Sequence, residues 1–216
     1  WIIEAVVENL AAKQALMARI DASRRADAIV SSNTSGLLIR DLAAGRTREF
    51  CQHFLGVHFF NPPRYMHLVE LIACKETDAA ILDNLERFLV STLGKGVIRA
   101  KDTPNFIANR VGVFSMLATI HHAERLGIGF DTVDALTGSL IGRPKSATFR
   151  TADVVGLDTF AHVVNTMKDT LPDDPWHKYY VSPAWLKTLI EQGALGQKTR
   201  RGVYQKVGKD IQVLDV

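Results

Sequence analysis

Apolar residues in the first hundred positions alternate between two rhythms. Short unbroken apolar runs bounded by turn-forming residues predict buried strands, and apolar residues three and four apart predict helices. Residues 1–6 form the first apolar run, and "ENLAAKQALMARIDAS" (8–23) carries Leu10, Leu16, Met17 and Ile20 at helical spacing. "DAIVSS" (27–32) predicts a short buried strand and "TSGLLIRDLA" (34–43) a short helix. "FCQHFLGVHF" (50–59) and "MHLVELIA" (66–73) predict two more strands. "ETDAAILDNLERFLVSTLG" (76–94) predicts a long amphipathic helix closing on Gly94, a good capping residue, before a last strand in "GVIRAKD" (96–102). Strands separated by helices imply a mainly parallel sheet with crossovers, hence part of a doubly wound, Rossmann-like α/β domain.

The pattern changes after Asp102. "TPNFIANRVGVFSMLATIHHAERLG" (103–127) predicts a helix of about six turns, with Thr103 as N-cap and Pro104 at its first position. "FDTVDALTGSLIG", "ATFRTADVVG", "LDTFAHVVNTMKDTL" and "SPAWLKTLIEQGALG" follow with helical spacing and Gly, Pro or Asp boundaries. The fold class expected is therefore α/β followed by all-α, with residues 1–101 as a partial Rossmann-like domain and 102–216 as a helical one. No repeat, low-complexity tract or flexible linker separates the halves, so they are expected to pack together.

Composition narrows the function. The 216 residues, 47% hydrophobic, suffice for one good core or a modest pair of domains and exclude wholesale disorder. A formal charge of +3 is too small to argue for nucleic acid or a membrane surface as partner. No apolar run approaches the roughly 20 residues of a membrane span. Cys51 and Cys74 have no CxxC spacing and read as small core hydrophobes in a reduced, cytoplasmic setting. The opening "WIIEAVVENL" has neither an initiator Met nor the basic leader of a signal peptide. It is expected to be a cut in a longer chain, close to the start of a strand.

Candidate chemistry gathers where strands end. Ligands of open α/β sheets bind beyond the carboxyl ends of the strands. "SSNTS" puts Asn33, Thr34 and Ser35 on the loop after one strand, and His58 closes another, so Ser35 and His58 converge if these strands are parallel neighbours. Asn61-Pro62-Pro63 reverses the chain and brings Glu70 back beside His58. A carboxylate on one imidazole nitrogen fixes the tautomer and stabilises the imidazolium formed when the other takes a proton. A buried pair that satisfies only itself fits the same spacing. Asn109, near the start of the long helix, reads either as a packing hydrogen bond or as a ligand contact at the domain cleft. His121 and Glu124 lie one helical turn apart, but no third residue has metal-ligand spacing, so no metal is expected. Trp176 and Trp185 read as loop packing, and Arg19, Arg24 and Arg25 as a solvated helix end.

"VHFFNPPRYMHLVEL", "SSNTSGL", "DTPNFIANR", "GLDTFAHV" and "GQKTRRGVY" together resemble the L-3-hydroxyacyl-CoA dehydrogenases, the NAD-dependent oxidation step of fatty-acid β-oxidation. The resemblance runs almost the whole length, and the closing "GVYQKVGKDIQVLDV" is most similar to long bacterial forms with further domains. It implies NAD as cofactor, a 3-hydroxyacyl-CoA substrate and a homodimer formed through the helical domain. His58 matches the catalytic base that takes the 3-hydroxyl proton, and Glu70 its carboxylate partner. Ser35 matches a serine that contacts the substrate oxygen and lies near cofactor and CoA, and Asn109 the asparagine that helps hold that oxygen. Glu8, Lys13 and Lys198 match positions that contact NAD.

Two departures stand out. The sequence contains no G-x-G-x-x-G after a strand and no acidic residue about 20 positions beyond one. The resemblance implies that both precede residue 1, so the fragment is expected to lack the first βαβ unit and to be inactive alone. "GRPKSATFR" replaces a smaller, more apolar segment, with Arg143, Lys145 and Arg150 adding charge. The competing readings are a related 3-hydroxybutyryl-CoA or sugar-acid dehydrogenase, or a structural, dimerising module on the same scaffold. A purely structural protein gains nothing from keeping the His–Glu pair.

Overall fold

Alternating strand and helix in the first hundred residues build a single five-stranded sheet with helices on both faces. The computed structural model describes residues 1–214, so the last two residues of the closing stretch lie outside the described residues. The chain forms two compact units, Trp1–Asn109 and a second that begins at Arg110.

In the first unit the strands are β1 (Ile2–Glu4), β2 (Val30–Ser32), β3 (Phe54–Phe59), β4 (Leu68–Ala73) and β5 (Gly96–Ala100), in that spatial order. All neighbours are parallel except β3 and β4, which the Asn61-Pro62-Pro63 reversal makes antiparallel. Successive strand side chains point to opposite faces, and the core divides accordingly. On one face Phe54 and Ile72 pack with Met17 of α1 (Leu10–Ser23), Ile39 and Leu42 of α2 (Ile39–Leu42), and Phe50 of α3 (Arg48–Gln52). On the other, Leu55, Val57, Val69 and Leu71 pack against Leu82, Leu85 and Leu89 of α4 (Ala79–Ser91). Gly56 lets α2 approach: a Cβ there would lie 2.7 Å from Ile39 Cδ1.

Two element boundaries differ from the sequence expectation. Residues 48–52 are helical and not the start of β3, because the Thr47 hydroxyl caps Phe50 N–H at 3.1 Å and the strand begins only at Phe54. The long helix α5 (Ala108–Leu126) does not start at Pro104 under a Thr103 cap. Asn105 and Phe106 take left-handed φ of 59° and 49°, which interrupts a helix in that segment. That turn buries Phe106 to 2% exposure and delivers the first N–H groups of the helix to a carboxylate described below.

Most of α5 belongs to the second unit, with α6 (Phe130–Thr137), α7 (Phe149–Val155), α8 (Leu157–Thr170) and α9 (Ala184–Glu191). Their core is built on Leu117, Phe130, Phe149, Leu157, Phe160, Val164, Trp185 and Leu186. Phe130, Phe149 and Trp185 contact one another with ring centroids 4.4–5.9 Å apart, so Trp185 is a core residue. Trp176 packs on Phe114 at 4.9 Å. The all-helical expectation needs one correction: β6 (Tyr204–Val207) and β7 (Asp210–Val213) form an antiparallel hairpin. Gly208, at φ 63°, supplies the left-handed residue of its turn.

Candidate active site

Antiparallel pairing of β3 and β4 sets His58 directly opposite Glu70. Side chains of such a pair stand on the same face within reach of each other. Both are buried, at 3% and 0% exposure, and His58 Nδ1 lies 2.8 Å from Glu70 Oε2. The other oxygen, Oε1, accepts Ile107 N–H at 2.9 Å and Ala108 N–H at 2.8 Å. Burial opposes charge on Glu70, but the His58 hydrogen bond and the two backbone donors outweigh it and hold its pKa below the ordinary 4.5. An ionised Glu70 accepts only, so Nδ1 carries the ring proton of neutral His58. Among the described residues no hydrogen bond engages Nε2. Phe60 and Phe106 flank the imidazole, with ring centroids 4.4 and 5.7 Å away.

The loop after β2 ends on the same sheet edge, since β2 and β3 are parallel. Asn33 Oδ1 accepts Phe59 N–H at 2.8 Å, which ties this loop to the residue next to His58. Ser35 is exposed, and its carbonyl accepts Asn109 Nδ2 at 3.3 Å. The structure thus brings His58 to Glu70 and Ser35 to Asn109. Among the described residues no hydrogen bond joins the second pair to the first.

Glu8 and Lys13 sit at the ends of a charged network that fixes this loop. Glu8 Oε1 accepts the Thr34 hydroxyl at 2.5 Å, Ser35 N–H at 3.0 Å and Gly36 N–H at 3.2 Å. Burial raises the Glu8 pKa, but Thr34, Lys13 and Ser35 together bring it below its ordinary value. Lys13 is 1% exposed, and its ammonium meets Glu4 Oε1 at 2.8 Å, Val6 carbonyl at 3.1 Å and Glu8 Oε2 at 3.2 Å. These three contacts use its three donors. Glu4, 2% exposed at the carboxyl end of β1, also accepts the Ser32 hydroxyl at 2.5 Å. Lys198 lies in the second unit, where it pairs with both oxygens of Asp158 at 2.6 and 2.7 Å.

Sequence reasoning missed Glu4, gave Asn33 no role, and did not foresee the backbone donors to Glu70. Glu4 did leave a signal: an acid interrupting the apolar run "WIIEAVV" needs a partner, and Lys13 is the basic residue nearest it along the chain. The donors at 107 and 108 left none, because a left-handed turn at Asn105 and Phe106 delivers them.

Residues 1–103 match the family model for the NAD binding domain of 3-hydroxyacyl-CoA dehydrogenase, and residues 106–206 match that for its C-terminal domain. The chain is 34% identical over 206 residues to a 3-hydroxybutyryl-CoA dehydrogenase of Mycobacterium tuberculosis, covering 94% of this chain and 69% of that protein. The chain belongs to the 3-hydroxyacyl-CoA dehydrogenase family. It is 50% identical over 215 residues to a probable 3-hydroxyacyl-CoA dehydrogenase of Bacillus subtilis, spanning all of this chain and 27% of that one. A Deinococcus radiodurans relative is 41% identical over 206 residues, 95% of this chain and 59% of the relative, so the chain is a minor or partial share of both proteins. The crystal structure of (S)-3-hydroxybutyryl-CoA dehydrogenase from Ralstonia eutropha superposes with a TM-score of 0.82 at 30% identity, over 95% of this chain and 70% of that one.

The NAD-binding-domain match begins at residue 1 and gives no support to the expectation that a unit of this domain is lacking. The residues described fit one end of a dinucleotide. The carboxyl edge of β1, β2 and β3 carries the exposed Ser35, on a loop held by Glu8, and an imidazole nitrogen without a partner among the described residues, which suit a polar ring. No G-x-G-x-x-G occurs in the sequence, so no residue here is assigned to the pyrophosphate.

Proposed function

We propose that this chain carries the catalytic acid–base pair of an NAD-dependent 3-hydroxyacyl-CoA dehydrogenase, oxidising L-3-hydroxyacyl-CoA to 3-oxoacyl-CoA as a step of fatty-acid β-oxidation. The observation that carries the reading is His58 Nδ1 held by a buried, anchored Glu70, with Nε2 left to accept a proton. NAD supplies the hydride acceptor. His58 Nε2 removes the proton of the 3-hydroxyl as hydride leaves C3, so positive charge does not accumulate on the substrate carbon. Glu70 stabilises the imidazolium so formed, and its two backbone donors keep the carboxylate from following the proton. A positioned base of this kind contributes roughly 10²–10⁴-fold. In the reverse reduction, the Ser35 hydroxyl and Asn109 amide donate to the substrate oxygen as it gains charge. Glu8, Lys13 and Lys198 act toward NAD, the first two by shaping the loop that carries Ser35.

The substrate class rests on the names of the relatives, which include both 3-hydroxyacyl-CoA and 3-hydroxybutyryl-CoA dehydrogenases. Turnover of a 3-hydroxyacyl-CoA series set against the corresponding free hydroxy acids tests it. His58→Gln, in the longest natural chain that contains these residues, is expected to abolish turnover and leave NADH binding nearly unchanged. Loss of both together contradicts the assigned role. The same reading includes a homodimer formed through the helical unit and a cytoplasmic setting. None of the described helices is long and apolar enough to cross a membrane.

A further inference from the structure

Lys145, Ser146 and Arg150 of the segment "GRPKSATFR" line an open pocket of about 980 Å³ on the surface of the second unit. Lys145, Arg150, Arg200 and Lys206 line it, beside the apolar walls of Val154 and Ile211. None of these four cations makes a salt bridge to a carboxylate among the described residues.

The carboxylates at hand are spent on the backbone. Asp153, buried on the cavity floor, accepts Val203 N–H and Tyr204 N–H, each at 2.9 Å. Asp134 accepts the N–H groups of Thr148, Phe149 and Arg150 at 2.7–3.0 Å and the Tyr204 hydroxyl at 2.9 Å. These bonds fix Asp153, Tyr204 and the backbone next to them. Tyr204 is held by its hydroxyl, and the Arg150 guanidinium lies over its ring, 4.0 Å from the centroid. Gly196 and Gly202 press so closely on Asp153 that neither position has room for a Cβ. The result is an open concave surface with four exposed cations and an exposed apolar side, of the size that takes small ligands.

We propose that this cavity binds an organic phosphate, its phosphate oxygens held by Arg150, Arg200, Lys145 and Lys206 and its apolar or planar part lying on Val154 and Ile211. Guanidinium forks match phosphate geometry, and lysines add point charge. The inference concerns residues of the second unit and does not rest on the proposed reaction.

Calorimetric titration of the longest natural chain that contains these residues with phenyl phosphate, ADP, inorganic phosphate and octanoate tests it. Phenyl phosphate and ADP are expected to bind more tightly than inorganic phosphate, and all three more weakly at high salt. Arg200→Gln and Lys206→Glu should each weaken ADP roughly tenfold or more with unchanged melting temperature. These two positions are chosen over Arg150, whose guanidinium also packs on Tyr204 and whose loss would mix binding with stability. Arg99→Gln, on an ion pair of the first unit, should leave binding as it is. A preference for octanoate, ADP binding indifferent to Arg200 and Lys206, or no binding at millimolar phosphate ester overturns the proposal.

Discussion

A carboxylate with 0% exposure keeps its charge only with enough donors around it, and Glu70 has three: His58 Nδ1–H, Ile107 N–H and Ala108 N–H. Glu70→Gln is expected to cost about 10²–10⁴ in turnover, since an amide donor facing Nδ1 favours the tautomer that protonates Nε2. A kcat within threefold of wild type contradicts this. The lowered pKa of Glu70 also makes a statement about stability. Its folded value lies below the unfolded one, so its contribution is fully present above pH 4.5 and is lost as pH falls through the folded value. Denaturant titrations at pH 6 and pH 3 should therefore differ less for Glu70→Gln than for wild type. Lys13 poses the opposite problem. Lys13→Met leaves Glu4 buried without its ion partner and should destabilise the first unit by about 3–5 kcal/mol, read from urea unfolding. A change below 1 kcal/mol refutes the network as described.

At the scale of elements, the strands and helices that periodicity marks most strongly are those the structure contains. α4 and α8 show an apolar face, and β3 and β4 show apolar runs with one polar break each. Those breaks are His58 and Glu70, which is why the pair was legible from the sequence. Their facing register follows from the reversal over residues 60–67 that joins two short strands. What could not be read depends on contacts distant in sequence. The start of α5 is set by Glu70, 38 positions upstream of Ala108, and not by the adjacent Thr103-Pro104 signal. The β6–β7 hairpin was hidden because its strands are four residues each and largely exposed, with little apolar alternation. The contact of α2 with β3 depends on a missing side chain at Gly56. Gly56→Ala should cost about 1–3 kcal/mol through overpacking against Ile39 and Ile72, and an unchanged unfolding midpoint would mean that α2 yields freely.

For the molecule as a whole, the two cores of the first unit and the single core of the second account for the apolar residues that composition called for. They leave Val111, Phe114 and Leu126 of α5 exposed at 62%, 36% and 62%. Dimerisation through the helical unit would cover such a face. Light scattering at micromolar concentration should report a dimer for wild type and a monomer for Val111→Glu, and a wild-type monomer rules out that interface.

Glu70 is held here to fix the imidazole of His58 with its proton on Nδ1 and its lone pair on Nε2, and the proposed chemistry follows from that tautomer. Nitrogen-15 NMR of the histidine side chains, recorded at a pH where His58 is neutral, reads it directly. A protonated Nδ1 and a bare Nε2 are expected in the wild-type chain, with loss of that preference in Glu70→Gln. A protonated Nε2 in wild type, or a His58 signal unaltered by Glu70→Gln, contradicts the assignment.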